Sequence, residues 1–253
     1  MTTPLLGPRD PAPVEIVNPG GRTPLLLVCE HAGQAVPEAL GRLGVSQAQL
    51  DEHIGWDIGA AEVTRRLAAI LDAPAVLQRY SRLVIDCNRP PEAPDSCPPV
   101  SDGHVIPGNA ALDPEERGKR VDEIFRPFQG AVATALARPE IKATFSIHSY
   151  TPVMGGIRRA WDVGFLFRSD RRTSDLMARA LGQAVPGLTI GLNQPYQVDD
   201  VSDWFVPRQA EPRGLPHSLI EIRNDHIRDA AGQTLWAERL AGLMPMFLKE
   251  IPA

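Results

Sequence analysis

The sequence predicts an α/β protein of three layers, α/β/α, with helices on both faces of a central mixed, mostly parallel sheet. Three observations predict it. Continuous apolar runs, such as residues 24–29 and 144–147, read as strands covered on both faces. Segments with helical spacing alternate with them as in crossover units. Residues suited to chemistry follow the apolar runs directly, where an open α/β sheet displays its site.

In chain order, residues 1–22 are rich in Pro and Gly without either period and read as a surface arm, leaving 23–253 as one domain. The first strand, 24–29, leads into Glu30-His31-Ala32-Gly33, two titratable residues beside a glycine. A short helix over 46–54 and a longer one over 59–71 follow, the second with apolar positions at Ala60, Val63, Leu67, Ile70 and Leu71. Asp57, just before it, reads equally as a helix cap or as a ligand. Residues 75–78 and 82–86 are strand candidates, the second ending in Asp86-Cys87-Asn88-Arg89 before two prolines that hold the backbone extended. A long Pro-, Asp- and Gly-rich loop over 92–109 reads either as a cover for the site or, more simply, as a disordered segment. Asp113 caps a helix running to about residue 137, with Pro114 at its first position and an expected kink at Pro127.

The strand over 144–148 delivers His148, and small polar and turn residues follow it. A further strand over 162–167, a helix over 173–184 and a strand over 188–192 lead to Asn193-Gln194-Pro195-Tyr196. The polar stretch beyond, to Gly214, reads as a second loop at the site. The last strand, 216–225, carries Glu221, and a helix over 233–249 closes the chain.

Composition excludes several classes. A net charge of -5 and a pI near 5.7 argue against general nucleic-acid binding, which needs a basic face. No apolar run approaches the roughly 18 residues of a membrane span, and no basic leader precedes an apolar stretch, so a cytoplasmic location is expected. Cys29, Cys87 and Cys97 form no Cys-x-x-Cys pair. Glycine-rich phosphate loops and a Gly-x-Ser-x-Gly elbow are absent, which leaves nucleotide-binding and serine-hydrolase readings without a motif.

His31, Arg89, His148, Asn193 and Glu221 all follow or end strand candidates, and mostly parallel strands would bring them together. Two histidines and a carboxylate on separate strands match a catalytic zinc site that leaves a fourth position to water. A further carboxylate such as Glu221 could take that water's proton, and an arginine beside an asparagine suits a substrate carboxylate.

Ser146-Ile147-His148-Ser149-Tyr150, Asp86-Cys87-Asn88-Arg89 and Glu221-Ile222-Arg223-Asn224-Asp225 resemble, in order, strands and motifs of the zinc carboxypeptidases. With Cys29-Glu30-His31-Ala32-Gly33, Gly55-Trp56-Asp57-Ile58-Gly59 and Asn193-Gln194-Pro195-Tyr196, the pattern is similar to the N-formylglutamate amidohydrolase family, a branch of that hydrolase fold, over roughly residues 24–250. The resemblance implies a zinc-carboxypeptidase-like catalytic domain with one Zn2+ held by His31 and His148. It also implies Glu221 as general base and Asn88 with Arg89 on a substrate carboxylate. The carboxypeptidases place a glutamate three residues after the first histidine, where this chain has Gln34, so the carboxylate ligand is Asp57 or, alternatively, Glu30. Arg158, Arg159, Asn193 and Tyr196 are further candidates for substrate contacts. The implied reaction is hydrolysis of N-formyl-L-glutamate to formate and L-glutamate. Another N-acyl amino acid or a short peptide is the alternative, and a metal-free carboxylate-binding module is the rival from a different class. The implied partner is a small molecule, and the sequence specifies no oligomeric state.

Overall fold

The structure, a computed structural model, describes residues 3–250. Its strands are β1 (Val14–Val17), β2 (Leu25–Cys29), β3 (Ala75–Gln78), β4 (Val100–Ser101), β5 (His104–Val105), β6 (Ala143–Tyr150), β7 (Val153–Met154), β8 (Ile157–Arg158), β9 (Val163–Leu166), β10 (Ile190–Leu192) and β11 (His217–Arg223). The α-helices are α1 (Gln47–Asp51), α2 (Ala60–Leu71), α3 (Pro114–Arg120), α4 (Arg126–Leu136), α5 (Arg171–Ala184) and α6 (Ala230–Glu250). Seven strands form one mixed sheet in the order β1-β3-β2-β6-β11-β9-β10, and β4-β5 and β7-β8 are separate hairpins.

Residue alternation along the central strands builds two cores. Leu25, Leu27 and Cys29 of β2, Phe145 and Ile147 of β6, and Ile220 and Ile222 of β11 pack with Leu67, Leu181, Trp236 and Phe247, which belong to α2, α5 and α6. Leu26, Val28 and Leu219 face the other way, onto Phe128 and Val132 of α4, the turn that carries Leu83, Val84 and Ile85, and Phe205 at the start of a π-helical segment. The sheet is thus covered on both sides, as the unbroken apolar runs require. Ser146, His148 and Glu221 alternate with the first set and belong to the second face.

Four expectations need correction. The segment expected as an arm contributes β1, which pairs antiparallel with β3 at the sheet edge. Residues 82–86 form a buried turn and not a strand. Their backbone groups are satisfied by other partners: the Leu83 carbonyl accepts from Asn109 Nδ2, the Val84 carbonyl from Arg120 Nη1, and the Asp86 N–H donates to the Ser96 carbonyl. β9 is antiparallel to β11 and parallel to β10, so the carboxyl ends of β9 and β10 point away from those of β6 and β11. Asn193 is therefore not delivered to the same end as His148. Finally, the long helix with Pro127 is divided by a π-helical segment, Val121–Phe125, just ahead of that proline.

Candidate active site

Parallel pairing of β6 with β2 on one side and β11 on the other brings three chain segments to one end of the sheet. His31 lies two residues beyond β2, and His148 and Glu221 are direct partners across the β6-β11 ladder, so their side chains share a face. Asp57 is tied in by backbone and side chain: its N–H donates to the His31 carbonyl at 2.9 Å, and its Oδ2 accepts from the Ser149 N–H at 3.1 Å. It does not cap α2, whose N-cap is Gly59 and lacks a side-chain bond.

The result is a buried triangle of donor atoms. His31 Nδ1 lies 3.1 Å from His148 Nδ1 and 3.4 Å from Asp57 Oδ2, and His148 Nδ1 lies 2.9 Å from Asp57 Oδ2. A tetrahedral ion with bonds of about 2.0–2.1 Å has ligands about 3.3 Å apart, so the spacing and donor types fit a bound metal. Each histidine is oriented from behind by a second carboxylate. Asp86 Oδ1 lies 2.7 Å from His31 Nε2, and Glu30 Oε2 lies 2.9 Å from His148 Nε2 while accepting from Ser146 Oγ at 2.5 Å. The triangle therefore contains Asp57, while Glu30 stands behind His148. The Asp86 acceptor on the distal nitrogen sets the tautomer of the His31 imidazole, and the Glu30 carboxylate stands close behind that of His148.

The electrostatics follow from burial and crowding. Burial raises the Glu221 carboxyl to about 7, and its Oε2 is buried without a hydrogen-bond partner. Burial and Arg82 oppose protonation of His31, but Asp86 and Asp57 outweigh them and its pKa lies above the ordinary value. Burial likewise opposes charge on His148, yet bonds to Asp57 and Glu30 hold its pKa well above normal. Burial would raise Asp57, but His31 and His148 hold it well below the usual carboxylate range. The group concentrates negative charge around two imidazoles, an arrangement that a cation would complete.

A cavity of about 460 Å³ opens onto these residues and is also lined by Arg82, Asn88, Arg89, Asp203, Tyr196 and the 95–102 segment. Arg89 Nη1 donates to the Ser202 carbonyl at 2.7 Å, which ties the second loop to this wall. Asn88 Oδ1 accepts from the Phe205 N–H at 2.9 Å and the Trp204 N–H at 3.3 Å, so its carboxamide mainly anchors that loop. Asn193 Oδ1 accepts from the Phe167 N–H and does not line the cavity. The chain turns back after Asn193 and brings Tyr196 to the cavity. Arg158 is exposed on the β7-β8 hairpin and outside the cavity lining, whereas Arg159 is buried and donates to the Tyr196 hydroxyl at 2.9 Å.

Sequence reasoning missed Arg82, Asp86 as the carboxylate behind His31, His53 and Asp203. Arg82 Nη2 donates to Asp86 Oδ2 at 2.8 Å and Arg82 Nη1 reaches Asp57 Oδ1 at 3.4 Å, bridging two carboxylates of the site. The four-residue spacing of Arg82 and Asp86 was the available signal, obscured by reading the segment as a strand.

This sheet with this site defines the class, a hydrolase on a mixed α/β sheet with a buried His-Asp-His group. The chain matches a model of N-formylglutamate amidohydrolase over residues 23–228 and belongs to that family. It superposes on the gene product Atu2144 from Agrobacterium tumefaciens with a TM-score of 0.92 at 37% identity, covering 97% of this chain and 98% of that one. The N-formylglutamate amidohydrolase from Ralstonia eutropha JMP134 shares the fold, with a TM-score of 0.64 at 18% identity over 95% and 98% of the two chains. No curated protein sequence matches the chain. No helix among the described residues is long and apolar enough to cross a membrane.

Proposed function

We propose that the protein is a zinc-dependent hydrolase that cleaves the amide of an N-acyl amino acid, with Glu221 as general base. The observation that carries this is the triangle of His31 Nδ1, Asp57 Oδ2 and His148 Nδ1 in the cavity that also holds the unpartnered Glu221 carboxyl. Those three residues would hold one zinc ion, which when bound supplies Lewis acidity for the acyl carbonyl and a water nucleophile near neutral pH. Glu221 accepts the proton of the attacking water and passes it to the nitrogen of the leaving amine. Its raised pKa suits both transfers, because a carboxylate near 7 is a stronger base and a carboxyl near 7 still a useful acid. Arg89 holds the substrate's carboxylate and thereby sets the distance from that group to the scissile amide. Tyr196, positioned through Arg159, lines the same cavity.

N-formyl-L-glutamate gives the family its name and is the first compound to assay. Protein purified without chelator should contain close to one zinc per chain by elemental analysis and release formate from an N-formyl amino acid. Glu221→Gln should keep the zinc and lose turnover by about 10²-fold or more. Folded protein that takes up no zinc, or zinc-loaded protein that hydrolyses none of a panel of N-acyl amino acids, would overturn the proposal.

A further inference from the structure

Given that the triangle of His31, Asp57 and His148 holds zinc, as just proposed, the Asp57 carboxylate could offer the ion one oxygen or two. Its two oxygens face different partners. Oδ2 faces both imidazoles and accepts from the Ser149 N–H at 3.1 Å. Oδ1 faces Arg82 Nη1 at 3.4 Å and His53 Nδ1 at 3.7 Å. Burial lowers the His53 pKa to about 4, so at neutral pH Arg82 supplies the positive charge beside Oδ1.

The other arm of the same guanidinium reaches the carboxylate behind His31. Arg82 Nη2 donates to Asp86 Oδ2 at 2.8 Å, and Asp86 Oδ1 lies 2.7 Å from His31 Nε2. One planar group thus fixes one candidate ligand directly and a second through its acceptor. The contacts close a ring from Asp57 through Arg82 and Asp86 to His31, whose Nδ1 faces Asp57 Oδ2 across the triangle at 3.4 Å. Backbone bonds hold Arg82 against the Asp57 loop. Its N–H donates to the Gly55 carbonyl at 3.3 Å, and Ser81 Oγ donates to the same oxygen at 2.7 Å. Arg82 also lines the cavity, where a cation could touch substrate instead. Its side chain is only 24% exposed, however, and both terminal nitrogens are turned to carboxylates. A lysine could not close the ring, because an ammonium is a single point of charge where arginine presents two N–H arms in a fixed fork.

We propose that Arg82 is a positioning residue of the metal site: it keeps Asp57 Oδ1 turned away, so that Asp57 offers one oxygen, and it holds Asp86 against His31. Zinc affinity, measured by chelator competition, reads this independently of turnover. Arg82→Gln should bind zinc about 100-fold more weakly than wild type and Arg82→Lys about tenfold more weakly, the range that loss of a partner behind a ligand covers. Charge alone predicts the opposite sign, because removing a cation beside a bound cation tightens the ion. Tighter or unchanged binding by Arg82→Gln therefore overturns the inference, and unchanged affinity with turnover lost would place Arg82 on the substrate. Full affinity in Arg82→Lys overturns it too, since the fork would then be unnecessary. With cobalt(II) in place of zinc, wild type should show the strong visible absorption of a four-coordinate ion, and Arg82→Gln the weaker bands of higher coordination as Asp57 swings to offer both oxygens. Identical spectra would count against the one-oxygen arrangement and overturn it. Thermal unfolding in chelator establishes that each variant is folded, and if Arg82→Gln does not fold, Arg82→Lys carries the same comparison. Affinity lost as expected in a protein that hydrolyses no N-acyl amino acid would leave this inference standing and overturn the hydrolase reading alone. Wild type that takes up no zinc overturns both.

Discussion

Glu221 shows how a single residue couples stability to pH. Its carboxyl is raised by burial from 4.5 to about 7, so in the metal-free protein the folded chain keeps a proton between those values that the unfolded chain gives up. The contribution is full below pH 4.5 and lost as pH rises through 7. At about 1.4 kcal/mol per unit, the loss is up to about 3 kcal/mol. Glu221→Gln, neutral throughout, should therefore gain on wild type as pH rises across this window, as urea denaturation in chelator at pH 5 and pH 8 would show. Identical pH dependence in the two proteins would mean that the group is not held neutral. The same residue marks what sequence can reveal. His31, His148 and Glu221 stood out because each ends or interrupts an apolar strand run, whereas Asp86 and Glu30 differ only in standing one layer further back, a distinction of space that no spacing along the chain encodes.

At the scale of elements, β2, β6, β11 and helices α2, α5 and α6 were legible because burial on both faces or on one face leaves a period. The 82–86 turn was not, because an apolar run looks the same whether its backbone is satisfied by a neighbouring strand or by Asn109, Arg120 and Ser96. The direction of β9 and β10 was equally hidden, and with it the fate of Asn193. Between these elements, the Asp57 loop depends on close backbone approach. Gly59 has φ +81°, and a Cβ there would stand 2.1 Å from the Ile227 carbonyl oxygen. Gly59→Ala should thus cost about 2 kcal/mol or more in denaturant unfolding, combining left-handed strain with displacement of the chain after β11. Because Ile58 also accepts from Ser149 Oγ, zinc uptake should weaken in the same variant. A variant as stable as wild type would show that the 55–59 loop has slack.

For the molecule as a whole, the candidate metal group joins segments distant in sequence: the residue pairs 31 with 148 and 57 with 148 span 117 and 91 positions. An ion held by all three binds only the folded arrangement and stabilises it by mass action, about 2.7 kcal/mol at a free concentration a hundredfold above Kd. Thermal unfolding should therefore shift upward with added zinc and downward with chelator, reversibly. Asp57→Ala should abolish the shift, since it removes one of the three converging atoms. Glu30→Gln should only reduce it, because losing a carboxylate behind a ligand typically costs 10- to 100-fold in affinity, or about 1.4–2.7 kcal/mol. Reversal of that order, with Glu30→Gln abolishing the shift and Asp57→Ala preserving it, would make Glu30 the ligand and require His148 to bind through Nε2, the ring nitrogen that Glu30 approaches.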